Sequence, residues 1–210
     1  MTSPVGRPVP DRLPPLRDVP EAWSVASSTD RHRDAWVMAL REDSVRQPGG
    51  GTAQRLVLEH PGAAVVLALD EEQRVPCLWQ YRHAGGHRFV ELPAGLCDGG
   101  PDEEPLDVAV RELREEAQLQ AETWTHLSSV HPSPGILSEV QHLFCATGLA
   151  PADRGDFALE HEEADMHLAW VPFADLHAAV VAGEVTDSPL VAAVLLAAAR
   201  GLADPVGAQG

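Results

Sequence analysis

Apolar residues in this chain fall into short runs divided by turn-forming residues, and a longer periodicity emerges only in a few places. Residues 63–69 (AAVVLAL) are apolar without alternation, which predicts a strand buried on both faces, and DEEQ at 70–73 predicts the turn after it. Residues 75–83 (VPCLWQYRH) follow as the next strand, and 89–100 (FVELPAGLCDGG) read as a strand running into a Gly-rich loop. Upstream, 23–40 ends in AWVMAL, a candidate strand. The run RQPGGGTAQRLVLEH then predicts a Gly-rich turn at 49–51 and a strand at 54–59.

A helix is predicted after residue 100. Pro101 and Asp102 supply start signals, acidic residues fill the first turn, and Val108, Ala109, Leu113 and Ala117 form an apolar stripe. Strands are expected near 124–130, 141–147 and 166–171, with the loops HPSPGILSE and DRGDFALEHEEAD between them. From Pro172 onward, FADLHAAVVAG and PLVAAVLLAAARGL are two helical patterns. No internal repeat is present. The order of elements predicts an α+β architecture in which helices cover each face of a mixed β-sheet, an α/β/α sandwich. Residues 1–20, with six prolines, read as a disordered leader. Residues 21–62 hold the N-terminal strands and hairpin, 63–202 the main domain, and 203–210 a flexible tail.

Composition narrows the chemistry. A net charge of −17, from 32 acidic and 15 basic residues, argues against a nucleic-acid partner, which needs a basic footprint. It also makes an anionic substrate awkward unless metal ions intervene. No run reaches the roughly 18 apolar residues of a membrane span, and the N-terminus lacks an apolar signal region, so the cytoplasm is the expected compartment. Cys77, Cys97 and Cys145 are an odd, widely spaced set and read as small apolar residues. His83 and His87 are separated by i,i+4, but Gly85 and Gly86 between them disfavour a helix and no third zinc ligand is spaced to join them.

The residues that carry chemistry lie in DEEPLDVAVRELREEAQL: Glu103, Arg111, Glu112, Glu115 and Glu116. On a helix, Glu112 faces Glu115 at i,i+3 and Glu116 at i,i+4. Like charges so placed repel by roughly a few tenths of a kcal/mol per pair. A divalent ion removes that repulsion, and Mg²⁺ in particular takes oxygen ligands that it shares with substrate phosphates. Arg111 is spaced to pair with Glu103 or Glu115. A charged helix face is ordinarily just solvated; here an apolar strand and a Pro-Ala-Gly loop precede it.

The segment from Gly95 to Leu119 resembles the box of the Nudix hydrolases: an opening glycine, a downstream glutamate, then Arg-Glu-apolar-x-Glu-Glu-x-Gly-apolar. Glu103, Arg111, Glu112, Leu113, Glu115, Glu116 and Leu119 match in type and spacing. Gly95 lies two residues too far from Glu103, which predicts a lengthened loop at 98–101. Gln118 replaces the closing glycine, which implies either about 1 kcal/mol of left-handed strain or a different helix end. Beyond the box, HPGAAVVLAL, WQYRH, VELPAGL, HPSPGILSE and EHEEADMHLAWVP are similar, in this order, to the ADP-ribose pyrophosphatase branch.

The resemblance implies hydrolysis of the diphosphate of ADP-ribose, or of a similar nucleoside diphosphate sugar, with Mg²⁺ or Mn²⁺ in its place. The other readings are a Nudix hydrolase of a different nucleoside diphosphate derivative and a catalytically inactive ADP-ribose sensor. The implied metal ligands are Glu112, Glu116, Glu115 and the Ala94 carbonyl. Glu162 or Glu163 is the implied general base, with Glu115 as the alternative organiser of the attacking water. The implied substrate residues are Arg82, clamping a phosphate or ribose with its planar fork, Glu139 at the terminal ribose, and Pro134 (with Pro132) where a proline is associated with ADP-ribose choice. Gly95, Gly99 and Gly100 allow backbone to approach phosphates. A homodimer is implied, its N-terminal strands reaching the partner's site; Trp23 or Trp36 would then stack on adenine or else lie in the core.

Overall fold

The structure is a computed structural model and describes residues 16–35, 37–100, 102–155 and 165–207. The chain runs through β1 (Val25–His32), β2 (Ala39–Arg46), β3 (Thr52–Glu59), β4 (Ala63–Ala68), β5 (Arg74–Arg82), β6 (His87–Glu91) and β7 (Ala94–Leu96) to α1 (Pro105–Ala117). It continues through β8 (Leu119–Val130), β9 (Gln141–Pro151), β10 (His167–Pro172), α2 (Phe173–Ala182) and α3 (Ser188–Ala199).

The mixed sheet is the four-stranded one, ordered β7-β4-β9-β8, in which β4 and β9 run parallel and the other pairs antiparallel. Its centre explains the uninterrupted apolar run of β4. Ala64, Val66 and Ala68 pack with Val108, Ala109 and Leu113 of α1, while Val65, Leu67 and Leu69 pack with Phe173, Leu176 and Val194 of α2 and α3. Successive side chains point to opposite faces, and both faces are covered by helix, so the period of two disappears from the sequence. The expected α/β/α layering is therefore present around this sheet. The remaining strands form two further sheets, β1-β2-β3 and β10-β5-β6. Among the described residues no helix is long and apolar enough to cross a membrane.

Several boundaries shift for identifiable reasons. The strand expected at AWVMAL is β2, which begins at Ala39 and runs through the charged REDSVR, because Arg41 pairs with Asp43 and with Glu59 across the ladder. β1 is mostly polar and exposed throughout; its backbone pairing to β2, with Ser28 donating to Asp43 and Arg31 to Glu42, holds it as a strand. β8 and β9 extend each other beyond their apolar centres, from Leu119↔Pro151 to Val130↔Gln141. The Trp23 indole is exposed and donates to Glu21, which removes it from the core; Trp36 lies outside the described residues. Cys77 and Cys145 are buried, and burial pushes their thiols up to about 12 and about 11, as inert packing residues require.

α1 starts later than Pro101 and Asp102 suggest. Pro105 is the reason: proline lacks an N–H and fixes φ, so it fits the first turn and not an interior one, and Glu104 becomes the extended N-cap. At the other end Gln118 adopts φ 56° and ψ 41°, donating its N–H to the Arg114 carbonyl. The helix thus ends where a closing glycine would end it, with the strain of a left-handed non-glycine residue. Gln118→Gly should stabilise the protein by about 0.5–1 kcal/mol, or about 1–4 °C in Tm by thermal denaturation. A Tm that falls would show that the Gln118 side chain contributes more than its backbone costs.

Candidate functional site

One cleft of about 670 Å³ collects residues from β4, β5, β6, β7 and α1, from the start of β9 with the loop before it, from the start of α3, and from the links that carry Met38 and His60. Its floor is the junction of β7 and α1. β7 pairs with β4 through Val65↔Ala94 and Ala64↔Gly95, which sets Ala94 and Gly95 directly beside the helix. Glu116 is buried, and its Oε2 accepts the Ala94 N–H at 2.9 Å. A Cβ at Gly95 would overlap the Glu112 carboxyl, so the close approach that this glycine permits is made by Glu112. Glu115, half-buried on the same helix, also lines the cleft.

Arg111 fixes the loop to the helix. Its Nη1 donates to Glu103 at 2.5 Å, its Nε to Glu112 at 3.2 Å and its Nη2 to the Leu96 carbonyl at 3.3 Å. Of the two pairings expected for Arg111, the one with Glu103 forms. Glu103 also accepts the Gly99 N–H at 2.8 Å, and a Cβ at Gly99 would lie 2.5 Å from that carboxyl. The Arg111 guanidinium first, and then the Gly99 N–H, hold the Glu103 carboxyl below its ordinary pKa. The lengthened loop therefore keeps the Glu103–Arg111 link intact.

On the opposite side stands Arg82, at the end of β5. Glu91 of β6, buried, grips its side edge: Nε donates to Oε1 at 3.0 Å and Nη2 to Oε2 at 2.7 Å. The Nε–Nη2 edge of the guanidinium is thus occupied by protein. Asp187, the N-cap of α3, accepts the Leu190 N–H at 3.1 Å and also lines the cleft. Burial pushes its carboxyl up to about 6, against the lowering effect of the Leu190 N–H; Glu91 adds to the rise and Arg82 opposes it.

The third part of the cleft is Glu139 with His60 and Gln141. The loop carrying Glu139 is tied to β3 by the Leu58 N–H donating to the Ile136 carbonyl at 2.8 Å and the Ser138 N–H to the Leu58 carbonyl at 3.1 Å. Glu139 is buried and accepts from Gln141 Nε2 at 3.1 Å. Arg82, Glu139, Gly95, Ala94, Glu112, Glu115 and Glu116 all line this one cleft. Pro134 is not; it stands on the exposed part of its loop, outside the cleft lining. Glu162 and Glu163 lie outside the described residues. His60, Gln80, Glu91 and Asp187 were not singled out from sequence. Glu91 sits within VELPAGL and Asp187 opens a DSPL helix start, but nothing local marks either as facing a cleft.

The match to known proteins follows the same residues. The NUDIX domain family matches residues 58–193, which takes in α1 and the cleft from His60 to Pro189. An ADP-ribose pyrophosphatase of Mycobacterium tuberculosis (strain ATCC 25618 / H37Rv) is 44% identical over 85% of this chain and 86% of its own. A methanol dehydrogenase activator of Bacillus methanolicus is 36% identical over 62% of this chain and 69% of its own. In fold, the chain is similar to the crystal structure of an ADP compounds hydrolase, with a TM-score of 0.69, 18% identity, and coverage of 89% of this chain and 96% of that one. The chain belongs to the NUDIX domain family.

Proposed function

We propose that the protein hydrolyses the diphosphate bond of ADP-ribose to AMP and ribose 5-phosphate, with a divalent cation, Mg²⁺ or Mn²⁺, held at α1. The observation that carries this reading is one cleft with the α1 carboxylates on its floor and Arg82 and Glu139 on its walls. The similarity to ADP-ribose pyrophosphatases points the same way.

The residues fit a hard cation. Glu112, Glu115, Glu116 and the Ala94 backbone offer oxygen donors and no soft ligand. Among the described residues no three His, Cys, Asp or Glu side chains form a ready-made metal cage. Mg²⁺ is commonly bound through one or two carboxylates and completed by water and phosphate oxygens. When bound, such a cation neutralises diphosphate charge and lowers the pKa of water.

The chain's own residues then have separable tasks. Glu116, anchored by the Ala94 N–H, and Glu112, anchored by Arg111, present fixed carboxylates, so little reorganisation is needed when the substrate enters. Arg82, held by Glu91, meets phosphate oxygens with its terminal edge. Glu139 accepts hydroxyls of the terminal ribose. The proton of the attacking water passes to a carboxylate of the 160–165 segment, Glu162 ahead of Glu163, a role taken from the resemblance of EHEEAD to the catalytic loop of this branch. We also propose that β1-β2-β3 forms a dimer contact, its outer strand β1 being exposed along its whole length.

Release of AMP, followed by chromatography, should require added divalent cation and stop in excess EDTA; undiminished release in EDTA would end the metal reading. Glu116→Gln and Glu112→Gln keep the side-chain shape and remove charge. Each should lower turnover by about 10²-fold or more, about 3 kcal/mol in the barrier. Near-normal turnover of Glu116→Gln with unaltered cation dependence would remove it from the ligand set. Glu162→Gln should depress kcat while cation and substrate affinity, read by isothermal titration, stay near wild type; Glu163→Gln should do little. Wild-type kcat in both variants would shift the proton's acceptor to the water organised by Glu115.

A further inference from the structure

The end of the cleft around Glu139 contains a hydrogen-bond arrangement that a purely structural role does not explain. Gln141 Nε2 donates to Glu139 Oε1 at 3.1 Å, and because a carboxylate only accepts, the amide orientation is fixed by that bond. The consequence is that Gln141 Oε1 is buried with no hydrogen-bond partner among the described residues. A buried polar atom left in this state is costly to the fold. On the other side, His60 Nδ1 accepts the Gly62 N–H at 3.1 Å, which places the ring's proton on Nε2 in the neutral form. Nε2 faces the same carboxylate, 3.9 Å from Glu139 Oε1. His60 is itself held by its backbone N–H, which donates to Ser138 Oγ at 3.0 Å. Gln141 thus bonds one oxygen of Glu139, and the His60 ring stands beside the same oxygen without a hydrogen bond to it.

We infer that His60 and Gln141 are positioning residues for Glu139: they fix its carboxylate so that this end of the cleft takes the hydroxyl hydrogens of a distal sugar, and the orphaned Gln141 carbonyl is the stability given up for it. A carboxylate set in this way welcomes hydroxyl donors and repels a phosphate, so it selects what is attached to the far phosphate of the diphosphate. The inference rests on Glu139 contacting that sugar.

The test compares Gln141→Met, His60→Phe, His60→Gln and Glu139→Ala in the full chain, with ADP-ribose as substrate and ADP, which lacks the distal sugar, as competitive inhibitor. Gln141→Met keeps the volume and removes the unpaired carbonyl. Its Tm should equal or exceed that of the wild type. Its KM for ADP-ribose should rise about ten-fold, the size of a lost hydrogen bond, with kcat within about two-fold and the ADP inhibition constant unmoved. His60→Phe should raise KM similarly, and His60→Gln, which can still offer an N–H near the Nε2 position, should recover most of the loss. Gln141→Met added to Glu139→Ala should cost nothing further. A Gln141→Met protein with lowered Tm and unchanged KM would overturn the inference, because the amide would then serve the fold alone. Additive losses with Glu139→Ala would overturn it as well. Wild-type KM in Glu139→Ala would overturn the sugar contact itself, and with it the inference.

Discussion

At Gly95 the backbone of β7 passes so close to the Glu112 carboxyl that even a methyl group would overlap it. That proximity sets the positions of the other groups in the cleft. It lets the Ala94 N–H reach Glu116, lets Arg111 span from the Leu96 carbonyl to Glu103 and Glu112, and concentrates carboxylates at one edge of the central sheet. In a chain of net charge −17, such a concentration is stable only with compensating donors. Arg111 and the Ala94 N–H are those donors in the protein, and a divalent cation is the one the arrangement calls for in function.

The packing that holds α1 in place is ordinary core. Val108, Ala109 and Leu113 seat on Ala64, Val66 and Ala68, where small residues on β4 let the helix come near the sheet. The larger residues of β4, Val65 and Leu67, face α2 and α3. The asymmetry of the two faces therefore has a result for the cleft: the thin side admits α1 with its carboxylates, and the thick side carries the larger apolar cluster. α3 then returns to the cleft at its own start, where Asp187 joins Arg82 and Glu91.

What was legible in the sequence follows from how local each signal is. The i,i+3 and i,i+4 spacing of Glu112, Glu115 and Glu116 is a property of one helix, and it survives intact in the fold. Strands β4 and β5 announce themselves by apolar runs. β1 does not, because an exposed, mostly polar strand has no buried face to give it an apolar pattern and takes its place from its pairing with β2. Asp187 and His60 are not marked as cleft residues for a related reason: distant segments bring them there, α3 in one case and the link from β3 to the Ser138 loop in the other, while Glu91 meets Arg82 through the β5-β6 hairpin, whose register the sequence does not announce. Pro134 shows the reverse case, a residue marked by resemblance that stands away from the cleft lining. The helix end at Gln118 was readable only as a choice between two outcomes, since backbone strain and an altered terminus leave the same trace in sequence.

Cleavage of a diphosphate between its two phosphorus atoms can be watched by ³¹P NMR of ADP-ribose incubated with the protein and Mg²⁺. The two coupled diphosphate signals should decline together while two phosphomonoester signals, those of AMP and ribose 5-phosphate, grow in equal amounts. Persistence of the coupled signals, or the growth of inorganic phosphate in their place, would rule out this reaction for the cleft.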